Sequence, residues 1–215
     1  MQTIVLASRK GGAGKTTLTS HLAVEAGVQG AGPVAVIDTD PMGGLASWWN
    51  ERKAEAPFFA RVGEGGLALT LNEMKSGGMQ LVLIDTPPFA TDSIAGIIAA
   101  ADLVVVPVVP SPNDLRAIGE TLEMIEQQRR PLVFVINNAG SGRLTGQAAV
   151  ALSQHGTVAP VTLRTRQDFR SSMIDGRTAG ELDPKGKSAA EVAELWRYLA
   201  GRLEKETRYG AAIAA

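Results

Sequence analysis

The apolar run Thr3-Ile4-Val5-Leu6-Ala7 breaks into Ser8-Arg9-Lys10-Gly11-Gly12-Ala13-Gly14-Lys15-Thr16-Thr17, and a helix-like segment from Leu18 to Val28 follows. No other stretch constrains the fold as tightly. A strand, a glycine-rich turn and a helix in that order place converging backbone N–H groups at a helix N-terminus. The glycines allow the close turn, and the helix end adds partial positive charge. The product is a cradle for an anion of phosphate type.

Lys15 is positioned to reach the β/γ-phosphates of a nucleotide, and the Thr16 hydroxyl to sit on Mg²⁺. Mg²⁺ takes few protein oxygens beside substrate phosphates, so one hydroxyl and carboxylates from elsewhere suffice. The pattern G-x-x-x-x-G-K-[ST] is not met, because Arg9 occupies the place of its first glycine. Lys10-Gly11-Gly12-Ala13-Gly14-Lys15-Thr16 stands instead, with a second lysine five residues before the first. This box resembles the deviant Walker A motif of the ParA/MinD ATPases.

Short apolar runs alternate with helix-length segments along the chain. Strands are expected at Thr3–Ala7, Val34–Asp38, Leu81–Asp85, Leu103–Val108, Leu132–Asn137 and Val161–Leu163, with Phe58–Val62 a weaker candidate. Most are continuous apolar runs, which suits parallel strands covered on both faces. Helices are expected at Thr16–Val28, Leu45–Ala54, Leu67–Ser76, Asp92–Ala100, Asp114–Arg129, Gln147–Gln154, Asp168–Asp175 and Ala189–Glu206. This alternation predicts an α/β fold: a doubly wound, mostly parallel sheet flanked by helices, with ligands at the carboxyl ends of the strands. One domain is expected over 1–215, with 207–215 a loosely packed or disordered tail.

The residues that follow those strands carry chemistry. Asp38-Thr39-Asp40-Pro41 comes after the second strand, where the two aspartates can share one side of an extended segment; an Asx-turn or helix cap is the structural alternative. Leu81-Val82-Leu83-Ile84-Asp85 has the Walker B form, with Asp85 a ligand to Mg²⁺ directly or through water. Pro110-Ser111-Pro112-Asn113-Asp114 reads as the start of a helix with Asp114 as its N-cap; it also resembles a Pro-x-x-Asp element that in the ParA/MinD family lies near the nucleotide and the dimer interface. Asn137 could offer a donor and an acceptor to an adenine edge, with a turn-forming Asn-Asn pair as the alternative. Trp48 and Trp49 are expected to pack, and His21 and His155 to be structural or exposed.

Composition narrows the classes. Charged residues make up 20% and hydrophobic ones 45% of 215, ordinary for a globular chain. With no cysteine there is no disulfide, thiolate metal site or iron–sulfur cluster. No signal peptide and no run long enough to span a membrane is visible, so a cytoplasmic location is expected. The net charge is −1, yet 127–167 contains no acidic residue while holding Arg129, Arg130, Arg143, Arg164 and Arg166. Such an asymmetry can mark a nucleic-acid face or only a solvated one.

The resemblance to ParA/MinD ATPases covers essentially the whole chain. It implies nucleotide contacts from Gly11, Gly12, Ala13, Gly14, Lys15, Thr16, Thr17 and Asn137, metal contacts from Thr16, Asp38 and Asp85, and catalytic roles for Lys10, Lys15 and Asp40. In the family the second acid of Asp-x-Asp-Pro positions the attacking water; Met42 stands where a glutamine often follows that proline. Thr86-Pro87-Pro88 resembles the second switch, and Asp183-Pro184 through Glu191 the family's lead-in to its last helix. The resemblance further implies an ATP-sandwich homodimer in which Lys10 crosses to the partner's phosphates. Non-specific DNA would be bound through Arg164, Arg166, Arg170, Lys185 and Lys187, and a ParB-like or adaptor protein would stimulate hydrolysis. The implied location is nucleoid-associated and the cargo a plasmid, chromosome or protein assembly. No helix-turn-helix segment precedes the first strand. A MinD-like membrane ATPase and a P-loop metabolic ligase are the rival readings; the amphipathic anchor of the former is not evident.

Overall fold

The computed structural model describes residues 1–88 and 92–214. Seven strands form one sheet: β1 (Gln2–Leu6), β2 (Val34–Asp38), β3 (Phe58–Ala60), β4 (Leu81–Asp85), β5 (Leu103–Val108), β6 (Leu132–Ala139) and β7 (Thr157–Arg164). Their spatial order is β3-β2-β4-β1-β5-β6-β7, and every neighbouring pair is parallel. Helices cover both faces. They are α1 (Lys15–Val28), α2 (Gly44–Glu51), α3 (Gly66–Ser76), α4 (Asp92–Ala99), α5 (Pro112–Arg116), α6 (Ile118–Gln127), α7 (Arg143–Ser153), α8 (Asp168–Ser171), α9 (Ala179–Leu182) and α10 (Lys187–Ala214), with a 3-10 turn at Ser172–Asp175.

Alternation along the strands sorts side chains between two cores. Ile4 and Leu6 pack with Leu18 and Leu22 of α1 and with Leu195, Trp196, Leu199 and Leu203 of α10. Val5 and Ala7 face the other way, toward Ile98 of α4, Ile125 of α6 and Leu152 of α7. The apolar stripe of the last helix is therefore a docking face, as its spacing predicts. That helix runs on to Ala214; Ala215 lies outside the described residues.

The strand pattern departs from expectation at the sheet's edges. β7 starts at Thr157, well before Val161, because an edge strand alternates buried and exposed positions rather than forming one apolar run. It also carries Pro160, as the central strand β5 carries Pro107. The single helix expected over Asp114–Arg129 is divided at Ala117 into α5 and α6. Its cap is Ser111, whose Oγ accepts the Asp114 N–H at 3.2 Å, so Asp114 is not the cap but lies in the first turn.

Register brings the chemistry together. Leu6 pairs with Asp85, and Asp85 with Asp38, so the ends of β1, β4 and β2 lie level at one edge of the sheet. The glycine box leaves β1 at that edge.

Candidate functional site

The box between Leu6 and Lys15 turns on two left-handed glycines, Gly12 (φ 79°) and Gly14 (φ 94°). Gly14 also has no room for a side chain, since a Cβ there would collide with the amide of Asn137. That amide donates to the Ala13 carbonyl at 2.8 Å, so the end of β6 braces the loop from outside. This bond uses one of the two N–H groups of the amide, so the expected contact with a base edge falls to the second N–H and the side-chain oxygen.

Lys15 opens α1 and is buried, its Nζ donating to the Ser8 carbonyl at 3.1 Å. Burial pushes its pKa below the usual lysine value, against the pull of the Asp85 and Asp40 carboxylates. Thr16 Oγ1 donates to Asp85 Oδ2 at 2.6 Å. Asp85 is fully buried, and burial pushes its carboxyl up to about 7; the Thr16 hydrogen bond and the Lys15 charge oppose this, while Asp38 and Asp40 add to it. Its second oxygen, Oδ1, is buried without a partner among the described residues. An orphaned carboxylate oxygen beside a threonine hydroxyl is the donor set a hard divalent cation uses when phosphates and water complete its shell. Among the described residues no three His, Cys, Asp or Glu side chains come together as a metal cluster.

The two aspartates after β2 are held differently. Asp38 accepts the Asp40 N–H at 3.0 Å and the Ala46 N–H at 2.9 Å, which ties the strand end to α2. Asp40 accepts only the Met42 N–H, at 2.9 Å, an Asx-turn that leaves the half-buried carboxylate's other oxygen free of a protein partner among the described residues. Thr39 donates to the Asp85 carbonyl twice, from its backbone N at 3.0 Å and from Oγ1 at 2.6 Å. Thr86 Oγ1 donates to the Leu6 carbonyl at 2.7 Å, stitching β4 to β1.

Lys10 points away from this group. Its Nζ pairs with Asp114 of α5 within the same chain. Nothing in the sequence pattern signals that contact, although Ser111-Pro112-x-Asp114 could have been read as a serine cap with Pro at the first helical position.

Residues 4–178, from within β1 to the residue before α9, match the family described as the CobQ/CobB/MinD/ParA nucleotide binding domain. The chain belongs to this family. Among relatives of the MinD/ParA-type domain, the Maintenance of carboxysome distribution protein A of Gloeobacter kilaueensis is 32% identical over 211 residues, 95% of each chain. The protein of the same name from Halothiobacillus neapolitanus is 28% identical, over 88% of this chain and 91% of its own. In fold, the domain is similar to the septum site-determining protein MinD of Pyrococcus horikoshii, solved with Mg-ADP (TM-score 0.74, 18% identity, 94% of this chain and 98% of that one). The parallel seven-stranded sheet is thus that of a MinD/ParA P-loop NTPase.

Beside the glycine box, this MinD/ParA-type domain has a cleft of about 400 Å³ whose walls include Gly14, Asn137, Asn138, Arg164, Arg166 and Phe169. Arg170 reaches it too, and Arg166 and Arg170 also border a second cleft of about 550 Å³. Three of the five basic candidates for DNA thus come together next to the loop. They are not equivalent. Arg166 Nη2 pairs with Glu191 of α10 at 2.6 Å, and Arg164 donates to the Gly140 carbonyl at 2.9 Å. Arg170 makes no ion pair among the described residues. Lys185 and Lys187 are exposed ahead of and at the start of α10, away from either cleft.

His21, on the first-core side of α1, is buried and structural. Its Nδ1 lies 2.7 Å from the Thr17 carbonyl, and Nε2 accepts the Ala179 N–H at 3.0 Å. Trp48 is buried and donates to the Arg177 carbonyl; Trp49 donates to Pro57 and packs on Phe59. Both tryptophans are packing residues.

Proposed function

We propose that this protein hydrolyses ATP as a ParA-like switch. With ATP it forms a sandwich dimer that binds DNA without sequence preference, and it distributes a cargo that is released on hydrolysis. The observation that carries the reading is the convergence of buried Lys15, the Thr16–Asp85 pair with its orphaned oxygen, and Asp40 at one sheet edge beside a left-handed glycine loop.

In this reading the N–H groups of 11–17 and Lys15 hold the β/γ-phosphates. Thr16, Asp38 and Asp85 would hold Mg²⁺, whose charge would offset that developing on the phosphates. Asp40 accepts a hydrogen bond from the attacking water and fixes its direction. Lys10 of each protomer lends positive charge to its partner's phosphates, as an arginine finger does.

Arg164, Arg166 and Arg170 supply phosphate contacts for DNA, with Lys185 and Lys187 as outlying members. The position of the three arginines next to the nucleotide loop supports a coupling between nucleotide state and DNA contact. The relatives' shared name, carboxysome distribution, favours a large protein assembly as cargo, reached through an adaptor protein. DNA retention measured with ATP, with ADP and without nucleotide across a salt series tests the reading. Retention with ATP alone, falling steeply with salt, is expected. Equal retention in all three states refutes it.

A further inference from the structure

Lys10 and its neighbour Arg9 are both fastened to one segment of their own chain. Lys10 Nζ pairs with Asp114 Oδ2 in the first turn of α5. Arg9 Nη1 pairs with Glu120 of α6 at 2.6 Å, and the Arg9 backbone N donates to Thr121 Oγ1 at 3.2 Å. Asp114 is only 6% exposed, and beyond Lys10 its side chain has one partner among the described residues, the Ser111 hydroxyl. The side chain of Lys10 is 38% exposed. The carboxylate is therefore the buried member of the pair and the lysine the one free to leave.

We propose that Asp114 is a positioning residue: it holds Lys10 in cis in the nucleotide-free protomer and thereby makes dimerisation depend on a bound triphosphate. The inference rests on the trans-acting role of Lys10 in the function proposed above. The two positions of Lys10 exclude each other, because one ammonium cannot serve a buried carboxylate in its own chain and phosphates in another. Its departure strips a buried carboxylate of its cation, which is costly unless the new partner attracts the lysine more strongly. A triphosphate carries more negative charge than a diphosphate, so the same pair that restrains Lys10 discriminates between the two nucleotide states. The Arg9 contacts keep the first turn of the loop close to α6, so that Lys10 returns to Asp114 when the partner leaves.

The test uses full-length protein and two readouts. Without nucleotide, the rate at which an amine-reactive acetylating reagent labels Lys10 is followed by peptide mass spectrometry, with Lys53 and Lys185 as internal references. Asp114→Asn is expected to raise the Lys10 rate several-fold and leave the references unchanged, and Asp114→Glu to restore protection in part. An unchanged Lys10 rate in Asp114→Asn overturns the proposal.

The second readout is sedimentation with a non-hydrolysable ATP analogue and with ADP. Asp114→Asn is expected to dimerise with the analogue at a concentration roughly five- to twentyfold lower than wild type, since two such pairs open per dimer, and to show some dimer with ADP. Weaker dimerisation of a variant that melts like wild type also overturns the proposal. If wild type stays monomeric with the analogue, the trans-lysine reading is what fails, and the labelling still decides whether Asp114 holds Lys10.

Discussion

Thr16 Oγ1 donates to Asp85 Oδ2 at 2.6 Å, so the first turn of α1 and the end of β4 are joined directly beneath the glycine loop. Thr16→Ala removes both a ligand and the hydrogen bond of a buried carboxyl. We expect it to lose most of the Mg²⁺-dependent gain in ATP affinity, roughly 10–100-fold, and about 1–3 kcal/mol of stability without ligand. Thr16→Ser keeps the hydroxyl and should stay close to wild type. Titration calorimetry with and without Mg²⁺ checks the first effect, and denaturant unfolding the second.

Asp40 and Lys15 separate binding from turnover. Lys15→Ala should abolish ATP binding or turnover, whereas Asp40→Ala should retain ATP and lose hydrolysis. Steady-state phosphate release beside equilibrium ATP binding distinguishes them. Hydrolysis by Asp40→Ala at the wild-type rate would remove that carboxylate from the mechanism.

Gly14 is constrained twice, by its left-handed φ of 94° and by the Asn137 amide that a Cβ would strike. Gly14→Ala is expected to abolish nucleotide binding and to cost about 1–3 kcal/mol. Adding Asn137→Ala relieves the collision but not the dihedral strain. The double variant should therefore recover part of the stability, a non-additivity readable from a double-mutant cycle.

His21 gives the fold an acid limit. The Ala179 N–H occupies Nε2, so the ring proton is on Nδ1, donated to Thr17, and a second proton has no place. Burial lowers the pKa from 6.5 to about 4. Between those values the unfolded chain binds more protons than the folded one, so this group's stability contribution is complete above pH 6.5 and disappears as the pH falls through 4. The loss amounts to about 3 kcal/mol. His21→Gln should be less stable than wild type at neutral pH and lack this slope, so that the two stability curves converge at acid pH.

Arg170 and Arg166 should differ as DNA contacts. Arg166 is already neutralised by Glu191, while Arg170 is exposed and forms no ion pair among the described residues. Arg170→Glu is expected to weaken ATP-dependent DNA retention more than Arg166→Glu, with ATP affinity in both within a few-fold of wild type. Filter binding at low salt checks the order, and retention unchanged in both would exclude this face.

Much of this architecture was legible in the chain. Val34–Asp38, Leu81–Asp85 and Leu103–Val108 have the bounds their sequence indicates, because a buried parallel strand is a continuous apolar run. The edge strand β7 hid its first half behind alternation and Pro160. Helix α9 is marked in the sequence only by its capping box, Thr178 and Glu181, since four residues after the cap are too few to show a helical period. Within the site, ligand types could be read from motif spacing, but pairings could not. Asp114 lies 104 residues from Lys10 in sequence, and only the packing of α5 against the loop brings them together.

Thr39 grips the Asp85 carbonyl with both its backbone and its side chain. The loop bearing Asp40 and the strand end bearing Asp85 are accordingly one mechanical body. If the chain hydrolyses ATP as proposed above, a shift of either on loss of a terminal phosphate would be delivered to the other without a relay, and the same displacement would reach α2 through Asp38 and Ala46. News of that event would then have a stiff route from the phosphate loop to the outer helices.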